Sequence, residues 1–160
     1  MLKDGRIQPA KIEEEVEKAR AEVGKTVRAM GEKAAYEANV PNLHPDLLTI
    51  LGRLHFRTSY GQNVLWHSVE MAHIASVIAE ETGANVAIAR AGALLHDIGK
   101  TVSHEVAGTH VEIGIRILEK YGVDQQVIVA MRAHHEEYPY DTPESIIVQV
   151  ADAISGGRPG

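Results

Sequence analysis

The sequence predicts an all-α protein of about seven helices, led by one long helix. Three features carry that reading. Apolar residues recur every three or four positions through most of the 160 residues, which marks single faces of helices. No segment shows the strict alternation of a half-buried strand. Gly, Pro and Asn cluster at intervals and divide the chain into pieces of helical length. Hydrophobic residues make up 44% of the chain but aromatic ones only 4%, so the core must be built mostly from Ala, Val, Ile and Leu. One domain spanning 1–160 is the simplest organisation at this length.

Pro9 suits a first helical turn. Ile12, Val16, Ala19, Val23, Val27, Met30 and Ala34 then line one face of a helical arm over about 9–38. That stripe either packs on its own domain or also pairs with a second subunit. Asn39 to Pro45 interrupts the pattern, Asp46 to Phe56 reads as a short helix, and Arg57 to Gly61 as a polar link. Gln62 to Thr82 is the next helix. Gly83-Ala84-Asn85 ends it and caps an Ala- and Leu-rich buried helix from Val86 to Ile98, where Gly99 suits the stop. A polar loop from Thr101 to Thr109 follows. Helices over His110 to Tyr121, Gln125 to His135 and Glu144 to Ser155 complete the chain, with turns at Gly122-Val123-Asp124 and from Tyr138 to Pro143.

Cys is absent, which excludes disulfides and thiolate metal sites and leaves Asp, Glu and nine His as donors. The pair His96-Asp97 ends an apolar run and precedes Gly99 and Lys100. Imidazole nitrogen suits a borderline divalent cation and carboxylate oxygen a hard one. Two ligands do not make a site, and His67, His110, His134 and Asp152 are spaced so that each can arrive from a different helix. Alone among Val64, Leu65, Val69 and Ala72, His67 would read as a core histidine; the series makes it a ligand candidate. A buried Asp152 needs a charged partner, which a metal supplies. Lys100 lies three residues after Asp97, within helical reach of it. It is either a helix-end charge or the group that holds a substrate phosphate. His104, in the polar loop, faces substrate or solvent. His44, His55 and His73 read as local or structural.

The net charge of -6 argues against strong non-specific nucleic-acid binding by this chain alone, without excluding an RNA substrate. No apolar run approaches the roughly 20 residues of a membrane span, so a soluble cytoplasmic protein is the expectation.

With its His, its His-Asp pair and its distal Asp in that order, the chain resembles the HD family of metal-dependent phosphohydrolases. Further segments resemble the C-terminal HD domain of the ribonuclease Y family over nearly the whole chain. They are Gly5-Arg6-Ile7 with Pro9-Ala10, Leu43 to Leu47, Leu51 to Leu54, Arg57 to Leu65, Leu94 to Lys100, His110 to Gly114, and Arg158-Pro159-Gly160. The stretch Arg57-Thr58-Ser59-Tyr60-Gly61-Gln62-Asn63-Val64-Leu65 is the most specific of these.

The resemblance implies an HD-domain helical bundle with a metal-site core over about 60–157. It implies a first metal site of His67, His96, Asp97 and Asp152. His110 and His134 would complete a second, with Asp97 bridging, His135 a less certain member, and His104 and His135 near the substrate. Two divalent cations are implied, with Mn, Fe, Zn, Ni or Co suited to His-rich ligands and Mg less so. The implied reaction is endonucleolytic hydrolysis of single-stranded RNA to 5′-phosphate and 3′-hydroxyl ends, with Asp97 and Lys100 in the catalytic roles, and the implied assembly is a homodimer. Ribonuclease Y proteins carry a membrane anchor on the cytoplasmic side, a coiled coil and a KH domain ahead of this region. Two other readings stand beside it: an HD-type hydrolase of small nucleotides or cyclic dinucleotides, and a non-catalytic dimerisation module that keeps metal for stability. Against the cyclic-dinucleotide reading, Glu137-Tyr138-Pro139-Tyr140 lacks that branch's Gly-Tyr-Pro. Asn63 also stands where its three-metal members can carry Glu.

Overall fold

The computed structural model describes residues 8–102 and 106–157. Pro9 opens α1 (Pro9–Glu37), where its fixed φ suits the first turn and its missing N–H costs nothing. Only the second half of α1 is packed. Val27, Gly31, Ala34 and Ala35 are buried, whereas Ile12, Val16 and Val23 are exposed. The buried half crosses α2 (Pro45–Gly52) at two glycines. A Cβ on Gly31 would lie 1.8 Å from the Leu48 carbonyl oxygen, and one on Gly52 would lie 1.7 Å from that of Val27, so the backbones touch only because both side chains are absent. His44 caps α2, its Nδ1 accepting from the Asp46 N–H at 3.0 Å, which gives it a local role.

The helix expected over Asp46 to Phe56 tightens to a 3-10 turn from Arg53 to Phe56. The expected link and helix start at Gln62 are also modified. β1 (Thr58–Ser59) pairs antiparallel with β2 (Gln62–Asn63) around Tyr60 and Gly61, whose φ values of 51° and 80° make a tight hairpin turn. These are the only strands among the described residues. Asn63 then caps α3 (Val64–Thr82), its side chain accepting from the Leu65 and Trp66 N–H groups. Gly83 ends α3 in the left-handed region, and Asn85 caps α4 (Val86–Leu95).

Helix α4 stops before the expected Ile98. His96 is its last cap residue, Asp97 departs from helical geometry, and a 3-10 turn runs from Ile98 to Thr101. Gly99 does not serve as a left-handed helix stop. A Cβ there would meet the His110 carbonyl oxygen at 1.7 Å and the Gly114 nitrogen at 2.8 Å, so Gly99 lets this turn lie directly on the next helix. That helix, α5 (His110–Lys120), starts at a capping box of Thr109 and Glu112. Helix α6 (Gln125–Arg132) is shorter than expected and leaves His134 and His135 in the turn beyond it. Thr142 and Ser145 form a second capping box for α7 (Pro143–Gly156).

The core is aliphatic, as the composition requires. Leu47, Leu51, Leu54, Leu65, Met71, Leu94, Leu95, Leu118, Ile128 and Met131 are fully buried. Helix α3 packs on α4 and α7, α4 also packs on α6 and α7, and α5 lies on the 3-10 turn after Asp97. This all-α bundle brings the end of α4, the start of α5, the end of α6 and the inner face of α7 towards the start of α3. No described helix is long and apolar enough to cross a membrane.

Candidate metal centre

Each buried histidine is held with its inner nitrogen free to face the centre. His96 Nδ1 donates to the Ala93 carbonyl at 2.8 Å, and His134 Nδ1 donates to the Met131 carbonyl at 2.6 Å. A carbonyl oxygen only accepts, so the proton sits on Nδ1 and Nε2 points inward. Both contacts reach back three residues, to carbonyls released where a helix is ending. The early ends of α4 and α6 are therefore what orient these two rings. His67 is in the first turn of α3, where the carbonyl three residues back, that of Val64, already accepts from Ser68. Its Nδ1 reaches Ser155 Oγ on α7 instead, at 2.8 Å.

The inner atoms fall into two adjoining groups. His67, His96 and Asp152 form one, and Asp97, His110, His134 and His135 the other, with the donor atoms of each group all within 4.8 Å of one another. His67 Nε2 is 3.1 Å and His96 Nε2 3.9 Å from Asp152 Oδ1. Asp97 faces both groups: its Oδ2 is 3.0 Å from His96 Nε2, and its Oδ1 is 3.8 Å from both His110 Nε2 and His134 Nε2. Lys100 Nζ donates to Asp97 Oδ2 at 3.0 Å.

Three of these atoms, Asp97 Oδ1, His110 Nε2 and His134 Nε2, are buried without a hydrogen-bond partner. Leaving three such groups unpaired is costly, at about 1–3 kcal/mol each. A divalent cation among them would satisfy all three with lone pairs already aimed at it, so the donor set fits such an ion.

The electrostatics fit as well. Burial opposes charge on Asp97, yet His96 and Lys100 beside it hold its carboxyl far below the usual carboxylate range. Burial opposes charge on Asp152 too, but its close contact with His67 and the nearby His96 outweighs it and holds the Asp152 carboxyl below its ordinary value. Burial pushes His134 down to about 3 and also lowers His110. Burial pulls His96 the same way, but the adjacent Asp97 and Asp152 carboxylates win and raise it. The site thus favours ionised Asp97 and Asp152 and neutral His110 and His134, the protonation state that metal ligands need.

Beside it opens a cleft of about 120 Å³ lined by Ser59, Tyr60 and Gln62 of the hairpin and by His67, Asp97, Lys100, His135 and Asp152. A larger groove of about 970 Å³ between α1 and the Arg53–Phe56 turn carries Arg20, Arg53 and Arg57 among apolar residues, with no imidazole or carboxylate in its lining.

The structure brings His67, His96, Asp97, Lys100, His110, His134 and Asp152 together. His135 is exposed yet sits with the second group. His104 lies outside the described residues. His73 bonds the Glu37 carbonyl at 2.8 Å and stands apart from the cluster. Sequence reasoning missed Ser155 and Glu70, which stand behind His67. Each lies three residues after a ligand candidate on the same helix, and that spacing was the available signal.

Fold and site together define a helical divalent-metal-binding domain built around a His-Asp pair. The chain belongs to the HD domain family, whose family model matches residues 64–157. Over all 160 residues it is 53% identical to the ribonuclease Y of Syntrophomonas wolfei and 53% identical to that of Desulforudis audaxviator. It is likewise 53% identical to the ribonuclease Y of Thermosipho melanesiensis. The chain spans 31% of the length of each of these relatives. No solved structure matches it.

Proposed function

We propose that this chain is the catalytic domain of a metal-dependent endoribonuclease of the ribonuclease Y type, cutting single-stranded RNA to leave 5′-phosphate and 3′-hydroxyl ends. The observation that carries this reading is the trio of partnerless buried donors, Asp97 Oδ1, His110 Nε2 and His134 Nε2, beside a cleft that holds Lys100. The ribonuclease Y relatives direct it towards RNA.

His67, His96, Asp97 and Asp152 hold one cation, and Asp97, His110 and His134 hold a second, with His135 at its open edge. Mn, Fe, Zn, Ni or Co suits this donor set better than Mg. When bound, such a pair of ions supplies an activated water and neutralises charge on the phosphoryl oxygens. Asp97, whose two oxygens face the two groups, would serve both positions. His96 and His134, fixed by backbone carbonyls, keep their lone pairs aligned without reorganisation. Lys100 offers a charge-assisted hydrogen bond to a phosphoryl oxygen, and that bond strengthens as negative charge builds during attack. Exposed Tyr60, at the hairpin tip on the cleft, offers a ring against which a base can stack.

The whole of 1–160 acts as one unit in the cytoplasm, and the exposed half of the α1 stripe pairs with a second copy. An end-labelled single-stranded RNA, incubated with Mn²⁺ or with chelator, tests the reaction. Mn²⁺-dependent fragments with 3′-hydroxyl ends are expected. Faster hydrolysis of mononucleotides or cyclic dinucleotides than of RNA would contradict the RNA reading.

A further inference from the structure

We infer that Ser155 and Glu70 form a positioning relay behind His67, one that sets the proton on His67 Nδ1 and thereby tunes the affinity of the site for its cation. The inference rests on the metal reading above and concerns residues outside the ligand set. Ser155 Oγ donates to Glu70 Oε2 at 2.7 Å and lies 2.8 Å from His67 Nδ1. A serine hydroxyl has a single proton. Because that proton goes to the Glu70 carboxylate, Ser155 can only accept from His67, so His67 Nδ1 must be the donor. Its Nε2 is then turned towards Asp152 Oδ1, 3.1 Å away.

His67 needs this help for a reason visible in the fold. His96 and His134 obtain the same arrangement from a carbonyl three residues back, at the end of a helix. His67 lies in the first turn of α3, far from that helix's end, and the Val64 carbonyl three residues back is already taken by Ser68. Its acceptor must come from another element, and α7 provides it one turn after Asp152. The relay is laced between the two helices: the ligand on α3 is held by α7, and the holder on α7 is anchored back to α3. Ser155 is fully buried, and its carbonyl accepts from Gln62 Nε2 at 3.0 Å, so its backbone is pinned to the hairpin. The chain carboxylate–hydroxyl–imidazole also makes Nε2 a stronger donor to a cation, because negative charge at Glu70 is passed through two polarised hydrogen bonds.

The test is Mn²⁺ affinity, measured by titrating metal into chelator-treated protein, with the melting temperature of each metal-free variant as the fold control. Ser155→Ala is expected to weaken Mn²⁺ binding by roughly 10–100-fold, the range seen when supports of metal ligands are removed. Glu70→Gln keeps the shape of the side chain, removes its charge and weakens binding in the same direction. Ser155→Thr, which keeps the hydroxyl, restores it. Ser68→Ala removes another fully buried hydroxyl, one that bonds only within α3 to the Val64 carbonyl, and leaves affinity at the parent value. Parent-like Mn²⁺ affinity in both Ser155→Ala and Glu70→Gln overturns the relay, as does an equal loss in Ser68→Ala. If the parent protein itself takes up no Mn²⁺, the metal reading falls and the relay falls with it.

Discussion

Lys100 Nζ and Asp97 Oδ2 are 3.0 Å apart, joined across one 3-10 turn that also ties the Lys100 N–H to the Asp97 carbonyl. The lysine is therefore delivered to the cleft by the most heavily shared carboxylate of the site. Having no lone pair while protonated, it cannot be a ligand. Lys100→Ala is expected to retain metal and melting temperature but to lose about 10²–10³ in RNA cleavage rate, by analogy with other well-aimed donors. Metal content and cleavage should be measured on the same preparation. Parent-like cleavage would leave Lys100 only the task of neutralising Asp97.

Gly99 sets the distance between Asp97 and His110. A Cβ at this position collides with the α5 backbone rather than with a flexible side chain. Gly99→Ala is predicted to destabilise the protein by about 1–3 kcal/mol, the usual cost of overpacking, and to weaken metal binding by prising His110 away. Urea denaturation of the metal-free protein checks the first effect and Mn²⁺ titration the second. Unchanged stability would mean that the turn can move off α5 freely.

The pH dependence of metal uptake follows from His96. Its neighbouring carboxylates raise its pKa, so a cation binding there competes with a proton. His110 and His134 are shifted the other way, towards the neutral form. Uptake near pH 7 should therefore release protons, and affinity should fall as the pH falls, by up to about tenfold per unit for each proton displaced. Calorimetry in buffers of different ionisation enthalpy reads the release directly. Identical binding heats in every buffer, with affinity flat from about pH 6 to about pH 8, would contradict it.

The exposed stripe of α1 predicts assembly. Ile12, Val16 and Val23 are turned to solvent along the first half of that helix, an arrangement suited to a partner helix. Light scattering is expected to give twice the chain mass of 17.4 kDa, and Val16→Glu with Val23→Glu to return it to the monomer. A monomeric parent protein at high micromolar concentration would rule the pairing out.

Most of the helices were legible because their apolar spacing, and caps such as Asn85 and Asp124, are local properties of the chain. What escaped were features set by contacts between distant residues. The role of Gly99 depends on the α5 backbone packed against it, which no local pattern records. The α4 stop at Leu95 was hidden because Ile98 continues the apolar run, although a His96 reaching Ala93 needs the helix to end there. The hairpin at Tyr60 and Gly61 was too short for alternation to show. In the site, the ordered series of His and Asp residues could be read directly. Ser155 and Glu70 could not, because a serine and a glutamate at helical spacing are ordinary surface residues until two helices bring them to His67.

The central claim is that Asp97 joins two cation positions. The most direct measurement is the number of Mn²⁺ ions bound per chain at equilibrium, in the parent protein and in Asp97→Ala, with helical content recorded for both. The account predicts two ions in the parent and at most one, more weakly held, in the folded variant. A folded Asp97→Ala that binds as many ions as the parent, with the same affinity, would contradict it.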